Sequence, residues 1–177
     1  RPVVSVLSSE TGAGTIATLV SIAPSSGSVA GGTVVRLLGT RLDLCTWCRF
    51  GSDGAVRASR RSAGELTCIV PVAEAGVVTV GLDCAGGEVQ GDARFEYYEV
   101  LRVSHVQPSV VRESGIVRVV GSGFLDRPDL SCRAGDELPT EGRFVSSSVV
   151  ECVVHANVAA NLTVGISLNG EDFVECE

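Results

Sequence analysis

The sequence predicts an all-β chain built as two tandem sandwiches of about seven strands each, and three observations carry that prediction. The chain of 177 residues is rich in Val, Gly and Ser, with no Met, 5% aromatics and no long run of strong helix formers. Such a composition suits pleated, half-buried strands and leaves little for helices. Short alternating stretches such as Val34-Val35-Arg36-Leu37-Leu38 recur between Gly, Ser and Pro turns, which is the period of strands. Finally, the chain repeats itself: "CRFG" from Cys48 returns as "CRAG" from Cys132, "ELTCIVP" from Glu65 as "VVECVVH" from Val149, and "VTVGL" from Val78 as "LTVGI" from Leu162, each 84 residues later. A fixed offset of this kind marks a duplicated structural unit, here of roughly 80–85 residues.

Each unit follows the same order of elements. A proline-headed turn, Pro24-Ser25-Ser26-Gly27 in the first unit and Pro108-Ser109 in the second, precedes an alternating strand. That strand is "VVRLLGTRL" at Val34 and "IVRVVGSGF" at Ile116, and it closes on a Gly-x-x-apolar turn. A strand opening at the Cys-Arg pair follows, then a polar loop, a strand carrying the second cysteine, and a Val-rich hairpin. About seven short strands in such a length is the size of an immunoglobulin-like sandwich. The boundary falls near Tyr98 to Arg102, where "FEYYEV" closes one unit and "LRVSHVQPS" opens the next. We therefore expect an N-terminal segment over 1–17 that ends a preceding module, a first domain over 18–99 and a second over 100–177 that stops short of its closing strand. With almost no linker between them, the two domains should form a stiff rod.

Charge narrows the function. With 14 basic and 21 acidic residues the formal net charge is −7, which disfavours nucleic acid and anionic membranes as partners, since both call for a net basic face. Arg57, Arg60 and Arg61, with Arg49 upstream, form a small basic cluster. Such a cluster is ordinarily a solvated edge, and its sharper interpretation is a contact to an acidic partner or a sulfated glycan. Seven cysteines indicate an oxidising compartment. Asn161-Leu162-Thr163 is an N-glycosylation sequon, so Asn161 is the expected glycan acceptor, and no run of about 18 apolar residues is present for direct membrane insertion.

Together "VSIAPSSGSVAGGTVVRLLGT", "CRFG", "ELTCIVP" and "VTVGLDCAGGEVQGDARFEYYE" resemble the IPT/TIG domain family of immunoglobulin-like modules, found in receptors, adhesins and transcription factors. The second unit, "VSHVQPSVVRESGIVRVVGSGF" with "CRAG" and "VVECVV", is similar but lacks the Gly-Gly pair and the Pro after its second cysteine. In extracellular members the resemblance implies one disulfide inside each sandwich, here Cys48 with Cys68 and Cys132 with Cys152. The basic loops of the intracellular, DNA-binding members are missing.

Cys45-x-x-Cys48 also invites a chemical interpretation. Cys45, Cys48, Cys68 and Cys84 lack the second close pair that structural zinc usually shows, and "CTWCRFG" enters a strand, without the helix start that activates a redox thiol. A second clamp, Cys45 with Cys84, fits better, because the loop before the Cys48 strand and the last hairpin share one end of such a sandwich. Cys176 is left over for an external partner, for another chain, or as a free thiol. No Gly-x-Ser-x-Gly elbow is present, and His105 and His155 stand alone without paired acids nearby in sequence, so no catalytic residues are expected. Asp126, Asp129, Asp136 and Glu137 suit a solvated acidic loop better than calcium, and we expect no metal and no cofactor. Trp47 is either a contact to a partner or, as we expect, a plug at the end of the sandwich.

The function expected is non-enzymatic: a structural or adhesive pair of modules in a secreted or cell-surface glycoprotein, as a stalk, an extracellular filament repeat or an adhesion ectodomain. Partners would be proteins, neighbouring modules of the same chain, or a glycan. Alternatives are the ligand-binding ectodomain of a plexin-like receptor and an accessory module of a secreted carbohydrate-active enzyme.

Overall fold

A computed structural model describes residues 16–52, 54–111, 114–155 and 163–175. Cys176 and Asn161, and with them the leftover thiol and the sequon, lie outside the described residues. Apart from a single 3-10 turn at Leu42–Leu44, every regular element of the described residues is a strand.

Ten strands build the first sandwich: β1 (Ala17–Ala23), β2 (Ser26–Ser28), β3 (Val34–Thr40), β4 (Cys45–Phe50), β5 (Gly54–Arg57), β6 (Ser59–Ser62), β7 (Glu65–Ile69), β8 (Gly76–Cys84), β9 (Val89–Gln90) and β10 (Ala93–Tyr98). They form two sheets, in the orders β6-β7-β3-β1-β9 and β2-β10-β8-β4-β5. Eight strands build the second: β11 (Arg102–Gln107), β12 (Gly115–Ser122), β13 (Ser131–Ala134), β14 (Thr140–Glu141), β15 (Arg143–Ser146), β16 (Val149–Val154), β17 (Val164–Ser167) and β18 (Val174–Glu175). Their sheets run β11-β12-β16-β15 and β14-β13-β17-β18.

There are more strands than seven per unit because the chain changes sheet without pausing. At Pro24, which has no N–H to continue a ladder, it leaves the sheet of β1 and enters that of β2. At Ala58 it passes from β5 in one sheet to β6 in the other, so one extended stretch forms the open edge of both.

Alternation along each strand sorts the core. Val35 and Leu37 point inward from β3 and are fully buried, whereas Val34, Arg36 and Leu38 face out. Phe50, Phe95 and Tyr97 stack edge to face in the first core, with centroids 5.5 Å and 5.1 Å apart, an arrangement that adds to their area burial. A second, separate core surrounds Phe124, Leu130, Val150 and Ile166.

The Gly-x-x-apolar turn has the same geometry in both units. Gly39 donates its N–H to Gly64 O and Leu42 to Ala63 O; Gly121 donates to Ser148 O and Phe124 to Ser147 O. Leu42 and Phe124 are thereby folded under the sheet end and lose all but about 1% of their exposure.

Candidate interaction surface and inter-module junction

Cys45 and Cys48 share β4 but not a partner. The structure bonds Cys48 to Cys68 of β7, from one sheet to the other, and Cys45 to Cys84 of β8, its direct neighbour within one sheet. Cys132 of β13 bonds to Cys152 of β16, again across the sandwich. Three residues apart in a regular strand, Cys45 and Cys48 would point to opposite faces. A bulge between Cys45 and Trp47 absorbs Thr46 and turns both sulfurs inward. The second clamp is therefore not a loop-to-loop staple as expected: Cys45 and Cys84 are the ends of paired strands.

The same bulge corrects the expectation for Trp47. Its ring does not plug the sandwich; it lies on the outer face of β4 and is 44% exposed, while Leu42, in the turn before β4, is fully buried. Trp47 stands opposite Arg57 on β5 and Asp83 on β8. Arg49, two residues on, is not a free member of the basic cluster, because its guanidinium donates to both carboxylate oxygens of Asp83 at 2.8 and 3.0 Å. That hydrogen bond holds the Asp83 carboxyl below its ordinary range.

Arg57, Arg60 and Arg61 make no ion pair among the described residues and are all exposed. Arg57 and Arg61 line a cleft of about 510 Å³ where the chain changes sheet, with Val34, Val56, Ile69 and Pro71 among its walls.

The other candidates stay apart. Asp126 and Asp129 lie in the β12–β13 connection and Asp136 and Glu137 in the β13–β14 turn, and among the described residues no three His, Cys, Asp or Glu converge as a metal would require. The His105 ring hydrogen-bonds to Gln107 at 3.0 Å, and His155 is exposed after β16.

The most organised polar site joins the two sandwiches. Thr33 Oγ1 donates to Asp172 Oδ2 at 2.6 Å, and Asn169 Nδ2 donates to Ser26 O and to Asp172 Oδ2, each at 2.9 Å. Asn169 Oδ1 accepts from Ser167 Oγ and from the N–H groups of Glu171 and Asp172. Of the five buried polar residues described, Ser26, Thr33, Ser167 and Asn169 belong to this network and only Thr67 does not. Alongside it Arg127 pairs with Glu96 and lies 5.4 Å over the Tyr98 ring. Tyr98 closes β10, yet packs in the second core together with Leu101 from the three-residue connection.

Charges at the junction also act on Tyr98. Burial, and secondarily the Asp172 carboxylate, push its phenol up to about 12 against the opposing effect of Arg127. A raised acid pKa stabilises the fold fully below the unfolded value of about 10 and is lost as pH climbs through the folded one. Ultraviolet titration should show Tyr98 ionising only near pH 12, and stability should fall between about pH 10 and 12. In Tyr98→Phe that part of the fall should vanish.

The sequence carried one unused signal for this site. Asn169-Gly170 closes the β17–β18 hairpin with Gly170 at φ 76, a left-handed position that favours glycine. The turn it makes presents Asn169 and Asp172 to the first sandwich.

The sequence profile described as the IPT/TIG domain matches this chain twice, over residues 17–97 and 101–175. Plexin A3 of Danio rerio is 27% identical over 140 residues, which cover 75% of this chain and 7% of that protein. Among solved structures, the plexin A4 full extracellular region superposes with a TM-score of 0.53 at 20% identity, covering 88% of this chain and 15% of that one. This chain therefore spans a small fraction of the length of either relative.

Proposed function

The chain belongs to the IPT/TIG domain family, and on that premise we propose that it is a non-catalytic structural and adhesive pair of modules in a larger secreted or cell-surface protein, working as a stiff spacer. One observation carries the proposal. The junction is closed by a network of buried hydrogen bonds, with an ion pair beside it. Each of these hydrogen bonds exchanged for water on opening costs about 0.5–1.5 kcal/mol net, so bending at the junction is opposed by several such terms at once. A short connection with a hydrogen-bonded polar seam transmits force and direction, which a stalk or an adhesion ectodomain requires. Three disulfides support the oxidising, extracellular setting.

Residual dipolar couplings test the proposal. The unmodified chain should fit a single alignment tensor for both sandwiches. In the double variant Thr33→Val, Arg127→Met each sandwich should keep its own couplings pattern but require its own tensor, because neither residue belongs to a core cluster. Two tensors in the unmodified chain would refute a stiff spacer.

A second role, the ligand-binding ectodomain of a plexin-like receptor, is favoured by the 27% identity to plexin A3. A membrane span followed by a signalling domain in the parent polypeptide would identify it.

A further inference from the structure

The crook where β5 gives way to β6 combines three features that the spacer role does not use. First, Arg57 and Arg61 line the cleft and make no ion pair among the described residues, in a chain of net charge −7. Arg36 stands one strand further in, opposite Thr67, and the nearest acid along β7, Glu65, sits opposite Ser62 at the far end of β6.

Second, the walls are apolar, and Ile69 and Val34, paired across β7 and β3, are 61% and 54% exposed. Third, the sheet has a gap there. Val70 donates its N–H to Thr33 O and accepts from Gly32 N, so it faces β3. Its neighbour Ile69 must then turn its N–H and C=O the other way, toward the line of β6. But β6 is last paired to β7 at Ser59 with Thr67. Arg57, the residue next in line, is paired with Trp47 in the opposite sheet. Among the described residues no strand covers Ile69 on that side.

We propose that this crook is a docking site for an extended acidic peptide of a partner protein. The peptide continues the line of β6 alongside Ile69, seats an apolar side chain in the cleft, and places carboxylates against Arg57 and Arg61. Backbone pairing with pockets for alternate side chains is how exposed sheet edges take up peptides, and guanidinium forks match carboxylates in geometry as well as charge. Arginines on an edge strand also discourage edge-to-edge association, but that role explains neither the cleft nor the uncovered Ile69. A sulfated sugar would satisfy the arginines and leave the apolar walls and the free backbone groups without partners. This site is independent of the stiff junction, so either can fail alone.

Trp47, opposite Arg57 and the only tryptophan, supplies the readout. The full chain is titrated with the peptide acetyl-Asp-Ile-Asp-Val-Asp-Ile-amide while indole emission is followed. Saturable binding is expected, weakening about ten-fold in Arg57→Glu and in Arg61→Glu and being lost in Ile69→Asp, with Arg94→Glu as the unaffected control of equal charge change. Raising salt to 1 M, where the screening length shrinks to about 3 Å, should weaken it further. Equal loss in Arg94→Glu would reduce the effect to net charge and overturn the site. So would no binding at millimolar peptide, or a heparin-derived tetrasaccharide binding where the peptide does not. Circular dichroism of each variant separates lost binding from lost folding.

Discussion

Replacing Cys132 with Ala and Cys152 with Val is expected to leave the second sandwich unable to hold its fold at 37 °C, while the equivalent change at Cys48 and Cys68 leaves the first one folded but weakened. Both bridges span 20 residues and both tie one sheet to the other. Chain entropy alone assigns each about 3 kcal/mol, a large share of the stability available to a domain of this size. The two sandwiches differ in what remains. The first keeps Cys45–Cys84, whose 39-residue span encloses the 20 residues of its neighbour. Because the loops are nested, the outer bridge alone still restrains the whole segment from β4 to β8. In the second, the register position matching Cys45 is Asp129, and no other disulfide forms among the described residues. Differential scanning calorimetry should resolve the asymmetry. The second sandwich should lose roughly 12–24 °C of midpoint, and the first distinctly less. Equal losses would mean that the outer clamp between β4 and β8, Cys45–Cys84, contributes nothing to the stability of the first sandwich.

Much of the fold is legible in the sequence, because the duplication and the alternation are properties of the chain itself. Two all-β sandwiches follow from the repeat of "CRFG" and "CRAG" and from the valine-rich strands, and the longer motifs around them carry the resemblance to the IPT/TIG family. The side chains at β4 are harder to place. A bulge shifts the parity of every residue beyond it, and nothing in "CTWCRFG" announces that Thr46 is the extra residue. One unannounced residue turns Trp47 outward from the expected plug and makes Cys45 an inward-facing strand residue. The junction is less legible still. Thr33 and Asp172 lie 139 residues apart, and their meeting depends on two folded units docking, which no local pattern encodes. The arginine cluster falls between these cases. Its charge is readable, but the cleft beside it exists only because the chain changes sheet at Ala58.

Gly39→Ala is expected to cost as much as a disulfide, and for a reason that local sequence hides. A Cβ added at Gly39 would lie 1.9 Å from Thr18 O and 3.2 Å from Leu42 Cδ2; at Gly121 it would lie 2.0 Å from Arg102 O and 2.8 Å from Phe124 Cζ. Neither glycine needs an unusual φ; both are glycine for want of room. In each unit the first strand bulges where it passes this position, between Leu19 and Ser21 and between Val103 and His105. The bulge presses a carbonyl against the glycine from one side while the buried apolar residue three positions on presses from the other. Overpacking a core side chain costs about 1–3 kcal/mol. Here the obstacle is backbone, which cannot rotate away, so the strand must shift bodily and about 3 kcal/mol or more is expected. Gly81→Ala is the control. Its Cβ would meet nothing nearer than 3.9 Å, and replacing a strand glycine relieves conformational entropy. Urea unfolding should therefore show Gly39→Ala and Gly121→Ala each lowering the midpoint of its own sandwich, and Gly81→Ala leaving it unchanged or slightly higher. If Gly39→Ala unfolds at the unmodified midpoint, the first strand slides freely past the third, and the Gly-x-x-apolar motif recurs for some reason other than space.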